Sequence, residues 1–184
     1  MLEQKKLFIG FALKGPAFDY SIEITNGLTH RYGIKNQFHK YPPHITLKIT
    51  FLATDDQIEN DLIPYLQKFV VGRKPIKLET VGFGHFNTGV IFRDILQDDS
   101  LLTVLQKELC DGLEEHIKWM KFHAIEPNGI PHVTVGEDDI SGRFKEIYLS
   151  LLQKYPESQN FNLDMLELFE KQSGKWVVVK QFPF

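Results

Sequence analysis

The chain has 184 residues, 42% of them apolar and 24% charged, with a formal net charge of −3. That length buries a sizeable core without disulfides or metals, and the composition is that of an ordinary globular protein, expected as one domain over residues 1–184. The acidic balance argues against a general binder of long nucleic acid, which needs many phosphate-neutralising lysines and arginines, but leaves open a small nucleotide or one RNA end in a local pocket.

Strands and helices alternate along the chain. "KLFIGFALKG" places Leu7, Ile9, Phe11 and Leu13 on one face of a strand. A helix is expected over Ala17–Tyr32, then a strand in "PHITLKITFL". Thr54 opens "TDDQ", a capping box for a helix with Ile58, Leu62 and Leu66 at four-residue spacing. Pro64 falls inside that pattern, so the helix is expected to kink or stop short. "PIKLETVGFGHF" reads as a strand, bulged at "GFGHF", with a turn near Asn87–Thr88–Gly89.

The second half repeats the order. "GVIFRDIL" is a strand, and Ser100 is placed to cap a helix through about Lys118 that carries Leu102, Leu105, Leu109 and Leu113. "PHVTVG" is again a strand. Asp138 or Asp139 is placed to cap a helix with Ile140, Phe144, Ile147 and Leu151, and "FNLDMLELFEKQSGKWVVVKQF" closes as a hairpin turning near Ser173–Gly174. Each half thus reads β-α-β-α-β, with halves at 1–87 and 88–184. This is the pattern of an internal duplication, for which a pseudo-two-fold arrangement is expected.

The chemistry sits in the repeat. "PHITL" (Pro43–Leu47) and "PHVTV" (Pro131–Val135) write proline, histidine, aliphatic, threonine, aliphatic twice, close to half a chain apart. Residues i and i+2 of a strand share a face, so His44 projects with Thr46 and His132 with Thr134. Two chance matches have a probability on the order of one in a hundred. Two imidazoles across a cleft can exchange protons near neutral pH, one taking a proton from water or a hydroxyl and the other giving one to a leaving oxygen. Threonine hydroxyls can hold a phosphoryl group between them. Unperturbed histidines place the limbs of such a reaction within roughly pH 5 to 8.5.

The paired motifs, their spacing and the duplicated order resemble the two-histidine (2H) phosphoesterase superfamily, nearest its bacterial 2′-5′ RNA ligase-like or cyclic phosphodiesterase branch. The resemblance implies a bilobal α+β fold with antiparallel sheets lining a central groove. It implies cleavage of a 2′,3′-cyclic or 2′-5′ phosphodiester of a nucleotide or RNA end, with His44 and His132 catalytic, Thr46 and Thr134 on the phosphate, and a reversible, ligase-like direction. Related proteins often carry a basic residue shortly after the second motif, where this chain has Gly136, Glu137 and Asp138. After the first motif, simple alternation puts Lys48 on the face of His44 and Thr46, where it reads either as a phosphate contact or as a solvated strand-end lysine. The competing reading is a nucleotide- or RNA-end-binding module without turnover.

The remaining signals are bland. His39, His85, His116 and His123 read as structural or surface residues, and no zinc-ligand spacing is present, so no metal and no cofactor are expected. The acidic groups "TDDQ", "QDDS" and "GEDD" read as helix caps. Cys110, the single cysteine, reads as a small apolar residue on a helix and fits a reducing compartment. No apolar run is long enough to cross a membrane, so a cytoplasmic monomer is expected.

Overall fold

The computed structural model describes residues 3–97, 100–122, 126, 129–137 and 139–184. The readings made for His123, Asp138, Asp98 and Asp99 lie outside the described residues. Among those described, four strands form a first antiparallel sheet: β1 (Lys5–Ala12), β2 (His44–Ala53), β7 (Met165–Gln172) and β8 (Lys175–Pro183). Four more form a second: β3 (Ile76–Phe86), β4 (Val90–Leu96), β5 (His132–Glu137) and β6 (Gln159–Leu163). The strand orders are β2-β1-β7-β8 and β5-β4-β3-β6.

These orders coincide when β1 and β2 are matched to β4 and β5, which is the pseudo-two-fold expected of a duplicated α+β chain. The halves exchange elements, however. β3, from the first half, completes the second sheet, while β7 and β8, from the second half, complete the first. The expected boundary between residues 87 and 88 therefore separates the repeats in sequence but not the sheets. Phe161–Leu163 likewise belongs to β6, paired with β3, and not to the closing hairpin. That hairpin is β7–β8, and it turns at Ser173 (φ 48°) and Gly174 (φ 83°).

The helices cross over in the same way. α1 (Gly15–Tyr32) follows β1 yet lays Ile24 and Leu28 against Phe83, Ile91 and Val135 of the second sheet. It stops at Gly33, whose φ of 71° is the left-handed conformation that favours glycine. α4 (Leu101–His116) follows β4 yet packs on β2, burying Leu102, Leu105, Leu109 and Leu113 as their spacing predicts. Ser100 does not cap it, because Ser100 takes φ 56° and its side chain makes no cap bond. The Gln97 side chain does so instead, accepting from the amides of Leu102 (2.8 Å) and Thr103 (3.1 Å).

The Thr54 capping box forms as predicted, and Pro64 is absorbed without a break. α2 (Asp55–Gln57) passes through a π-helical turn (Ile58–Leu62) into α3 (Ile63–Val70), so the proline falls in a first turn whose amides need no α-helical partner. α5 (Phe144–Lys154) follows a 3₁₀ turn at Ser141–Arg143, and Asp139 pairs with Lys35 (3.4 Å), outside the helix. Among the described residues no helix is long and apolar enough to cross a membrane.

One irregularity sets the side-chain pattern of both motif strands. The β1–β2 ladder steps from Gly10↔Thr46 to Ile9↔Lys48, so Leu47 is an extra residue. The β4–β5 ladder steps from Phe92↔Thr134 to Ile91↔Gly136, so Val135 is its equivalent. The first bulge brings backbones together, and a Cβ on Gly10 would stand 2.2 Å from the carbonyl oxygen of Ile45. Each extra residue's carbonyl is held by a helix. Leu47 O accepts from Gln106 Nε2 (3.1 Å) and Cys110 Sγ (3.7 Å) of α4, and Val135 O accepts from Thr25 Oγ1 (3.0 Å) of α1.

The bulge overturns the expectation for Lys48. Alternation from His44 would have put Lys48 in the groove, but the inserted Leu47 turns it to the opposite face, level with the core residue Ile9. There it is 0% exposed. Its ammonium donates to Glu126 Oε1 (2.7 Å) and Lys121 O (3.1 Å) and lies over the Phe122 ring. Glu126 Oε1 also accepts from the Ile49 amide (3.0 Å), so the pair ties the strand to the loop ahead of β5. Removing one member of a buried pair strands the other charge. Glu126→Ala is therefore expected to lower unfolding free energy by about 3–5 kcal/mol, read by urea titration. A change under about 0.5 kcal/mol, the size of an ordinary surface substitution, would show that the pair does not hold this loop.

Candidate active site

β2 and β5 come together where the two sheets meet, and each presents its motif to the groove. His44 and Thr46 are partly exposed, while Ile45 and Leu47 are buried; His132 and Thr134 are partly exposed, while Val133 and Val135 are buried. The structure thus brings four of the five residues singled out from the sequence onto the groove faces of the two strands. The fifth, Lys48, lies in the core.

The two imidazoles are held alike. His44 Nδ1 donates to the carbonyl of Pro42 (2.8 Å), and His132 Nδ1 donates to the carbonyl of Ile130 (2.6 Å). A carbonyl cannot donate, so in both neutral rings the proton sits on Nδ1 and the lone pair on Nε2. The same bond two residues back occurs in both motifs, each with a proline directly before the histidine. It orients each ring and leaves the lone pair of Nε2 as the position that can take a proton.

Aromatic rings enclose both histidines. His44 lies 4.8 Å from Phe8, 5.1 Å from Tyr41 and 5.9 Å from Phe169, measured between ring centroids. His132 lies 4.8 Å from Phe92 and 5.0 Å from Phe86. This burial disfavours the imidazolium and pushes His44 down to about 4, with the nearby His132 charge lowering it further against the Pro42 bond. His132 is also lowered by burial, but its Ile130 bond and the carboxylate of Asp94 oppose the shift. Both rings are therefore predominantly neutral at pH 7 in the free protein. The acid edge of the expected window accordingly moves below pH 5.

The loop before β2 closes around this site. Gln37 is buried and donates to Thr134 O (2.7 Å), and Tyr41 bonds through its hydroxyl to Glu137 at the end of β5. Gly136 occupies the position equivalent to Lys48, and a Cβ there would press on Leu28 of α1 (3.3 Å). A basic side chain at 136 would thus meet the helix layer and not the phosphate.

Asp94, Tyr41 and the phenylalanine wall escaped the sequence reading. Alternation in "GVIFRDIL" does place Phe92 and Asp94 on one face, but pairing Asp94 with His132 requires the strand register. Of the other histidines, His85 packs edge-on against Phe144 and Tyr148, and His116 bonds back to Gly112 O at the end of α4 (2.9 Å). His39 lies in a 3₁₀ turn. Cys110 is buried, with its thiol pushed up to about 12 mainly by burial, so it is inert as a nucleophile.

Comparisons with known proteins give the chain a family and its fold a set of neighbours. A protein of Geobacillus thermodenitrificans named "Putative phosphoesterase" is 24% identical over 163 residues, covering 87% of each chain. A Bacillus cereus protein of the same description is 28% identical over 164 residues, covering 85% of this chain and 86% of the other. The fold matches TT0787 of Thermus thermophilus with a TM-score of 0.66 at 15% identity, covering 97% of each chain. It also matches Escherichia coli LigT, crystallised with 3′-AMP, with a TM-score of 0.65 at 14% identity, covering 99% of this chain and 98% of that one. The family model of the 2′-5′ RNA ligase superfamily matches residues 23–175, which include both histidine motifs, and the chain belongs to that superfamily.

Proposed function

We propose that this chain is a metal-independent phosphodiesterase acting on 2′,3′-cyclic or 2′-5′ phosphodiesters of nucleotides or RNA ends. The observation that carries the reading is the matched pair of imidazoles, each fixed through Nδ1 to a carbonyl two residues back, with a threonine beside it. One Nε2 takes a proton from water as its oxygen bonds to phosphorus. The bond to the leaving ribose oxygen breaks, and that oxygen takes a proton from the other Nε2. Thr46 and Thr134 donate to the non-bridging oxygens as charge develops there. An RNA hydroxyl in place of water runs the same chemistry toward ligation.

Membership in the superfamily supports a phosphodiester substrate, and the 3′-AMP held by LigT supports a nucleotide. The position of Lys48 favours turnover over simple binding. A binding module would hold a phosphate with fixed cations, whereas this lysine is buried against Glu126 and the groove keeps two proton-exchanging rings.

Turnover of 2′,3′-cyclic nucleotides by the purified protein tests the reading. His44→Ala and His132→Ala are each expected to lower it at least about a hundredfold with the fold intact. Near-normal turnover in either variant would refute the two-histidine mechanism. Thr46→Val and Thr134→Val are expected to cost about tenfold to a hundredfold through lost phosphate contacts. Activity is expected to survive EDTA; loss restored by one divalent ion would assign the histidines to a metal instead.

The pH profile adds an independent check. Burial lowers both imidazoles, so the neutral form of one and the protonated form of the other coexist on the acid side of their ordinary value. A bell-shaped kcat/KM is expected to peak below about pH 6.5 and to fall as pH rises past it. A plateau from pH 5 to 8.5 in the chemistry-limited regime would contradict proton exchange by the pair.

A further inference from the structure

We infer that Asp94 sets the polarity of the histidine pair, making His132 the general acid and His44 the general base. The inference rests on the proposed phosphodiesterase reading for its chemistry but on the strand register for its geometry. The pseudo-two-fold that relates the motifs breaks where it matters. Ala12 stands directly across the ladder from His44, and Asp94 stands directly across from His132. Directly opposed residues of an antiparallel pair share a face, so the carboxylate and the imidazole both turn to the groove. Room for that carboxylate is made by β3. A Cβ on Gly84 would fall 2.9 Å from Asp94 Oδ1 and 2.3 Å from the Phe92 ring, and the bare glycine leaves both in place.

The other charged groups do not cancel this asymmetry. Around His132, β3 contributes Phe86 and β2 contributes His44. Arg93, beside Asp94, turns to the opposite side, where its guanidinium donates to Thr80 O (3.1 Å) and Glu157 O (2.8 Å) between the Tyr20 and Phe83 rings. Around His44 stand Phe8, Phe169 and Tyr41, and the Glu137 carboxylate accepts a hydrogen bond from the Tyr41 hydroxyl. The nearest carboxylate on β7, Glu167, is engaged with the Ala12 amide (2.6 Å) and Gln181 (2.9 Å). A negative charge across from one ring only makes that ring the better holder of a proton, and the imidazolium on it further discourages a second charge at His44. The directions of both shifts agree: Asp94 raises His132, and His132 lowers His44.

In the cleavage direction His44 Nε2 therefore removes the proton of the attacking water, the new O–P bond forms, and the P–O bond to the ribose breaks. His132 Nε2 protonates the departing oxygen. The two rings then exchange one proton with solvent to reset. Asp94 is a positioning residue that acts through His132.

Titration of the histidine ring protons by NMR in the substrate-free protein tests the polarity without relying on turnover. His132 is expected to titrate above His44, and Asp94→Asn to shift His132 downward. His44 titrating above His132, or an unmoved His132 in Asp94→Asn, would overturn the assignment. A second measurement compares leaving groups, since the nitrophenolate of bis(4-nitrophenyl) phosphate departs without a proton. The loss caused by His132→Ala on 2′,3′-cyclic AMP is expected to exceed its loss on the nitrophenyl ester by at least about tenfold, whereas His44→Ala suffers comparably on both. The opposite pattern would make His44 the acid. If the wild type turns over neither ester, the proposed function fails, while the titration still decides which ring Asp94 favours.

Discussion

The carbonyl oxygens of Leu47 and Val135 carry more of this structure than their size suggests. Each belongs to an extra residue in a motif strand, and each is held by side chains of a helix from the other half of the chain. A buried hydrogen bond of this kind contributes about 1 kcal/mol net, but leaving the carbonyl unmet costs about 1–3 kcal/mol. The bulges are therefore stabilised by α4 on β2 and by α1 on β5. Each histidine motif is braced by a helix of the opposite repeat.

The bulge also decides which chemistry faces the groove. Upstream of it, histidine and threonine project together toward the groove. Immediately downstream, the side chain turns into the helix layer, where Lys48 finds Glu126 and Gly136 meets Leu28. The site is thereby left with hydroxyls and imidazoles in an aromatic surround. Electrostatic interactions in such a place are weakly screened, so one carboxylate at Asp94 can separate two otherwise similar rings. Symmetry supplies the pair, and the departure from it at Ala12 and Asp94 is the basis on which we propose a direction of proton flow.

Local signals were legible in the sequence and non-local ones were not. The Thr54–Gln57 capping box and the leucine face of α4 depend on residues within a turn or two, and both stand as read. The histidine–threonine faces follow from strand alternation and also stand. Lys48 fails because alternation assumes an unbroken ladder, and nothing local marks the Leu47 bulge. Ser100 fails because Gln97 reaches forward to the same amides from outside the usual cap position. The exchange of β3 and β7 between sheets depends on which third strand each β-pair recruits, a choice made by packing. Asp94 is the sharpest case: an ordinary strand residue in sequence, it meets His132 only when register sets the two across from each other.

Two-histidine attack on phosphorus is the chemistry we propose for this groove. Hydrolysis of 2′,3′-cyclic AMP in ¹⁸O-labelled water with excess EDTA, followed by ³¹P NMR and separation of the 2′ and 3′ monophosphates, tests it most directly. The account predicts one isomer, carrying a single ¹⁸O on phosphorus, formed by the wild type and lost in the His44→Ala, His132→Ala double variant. Product formed equally well by the double variant, or no cleavage of cyclic phosphodiesters by the wild type at any pH from 4 to 8, would contradict it.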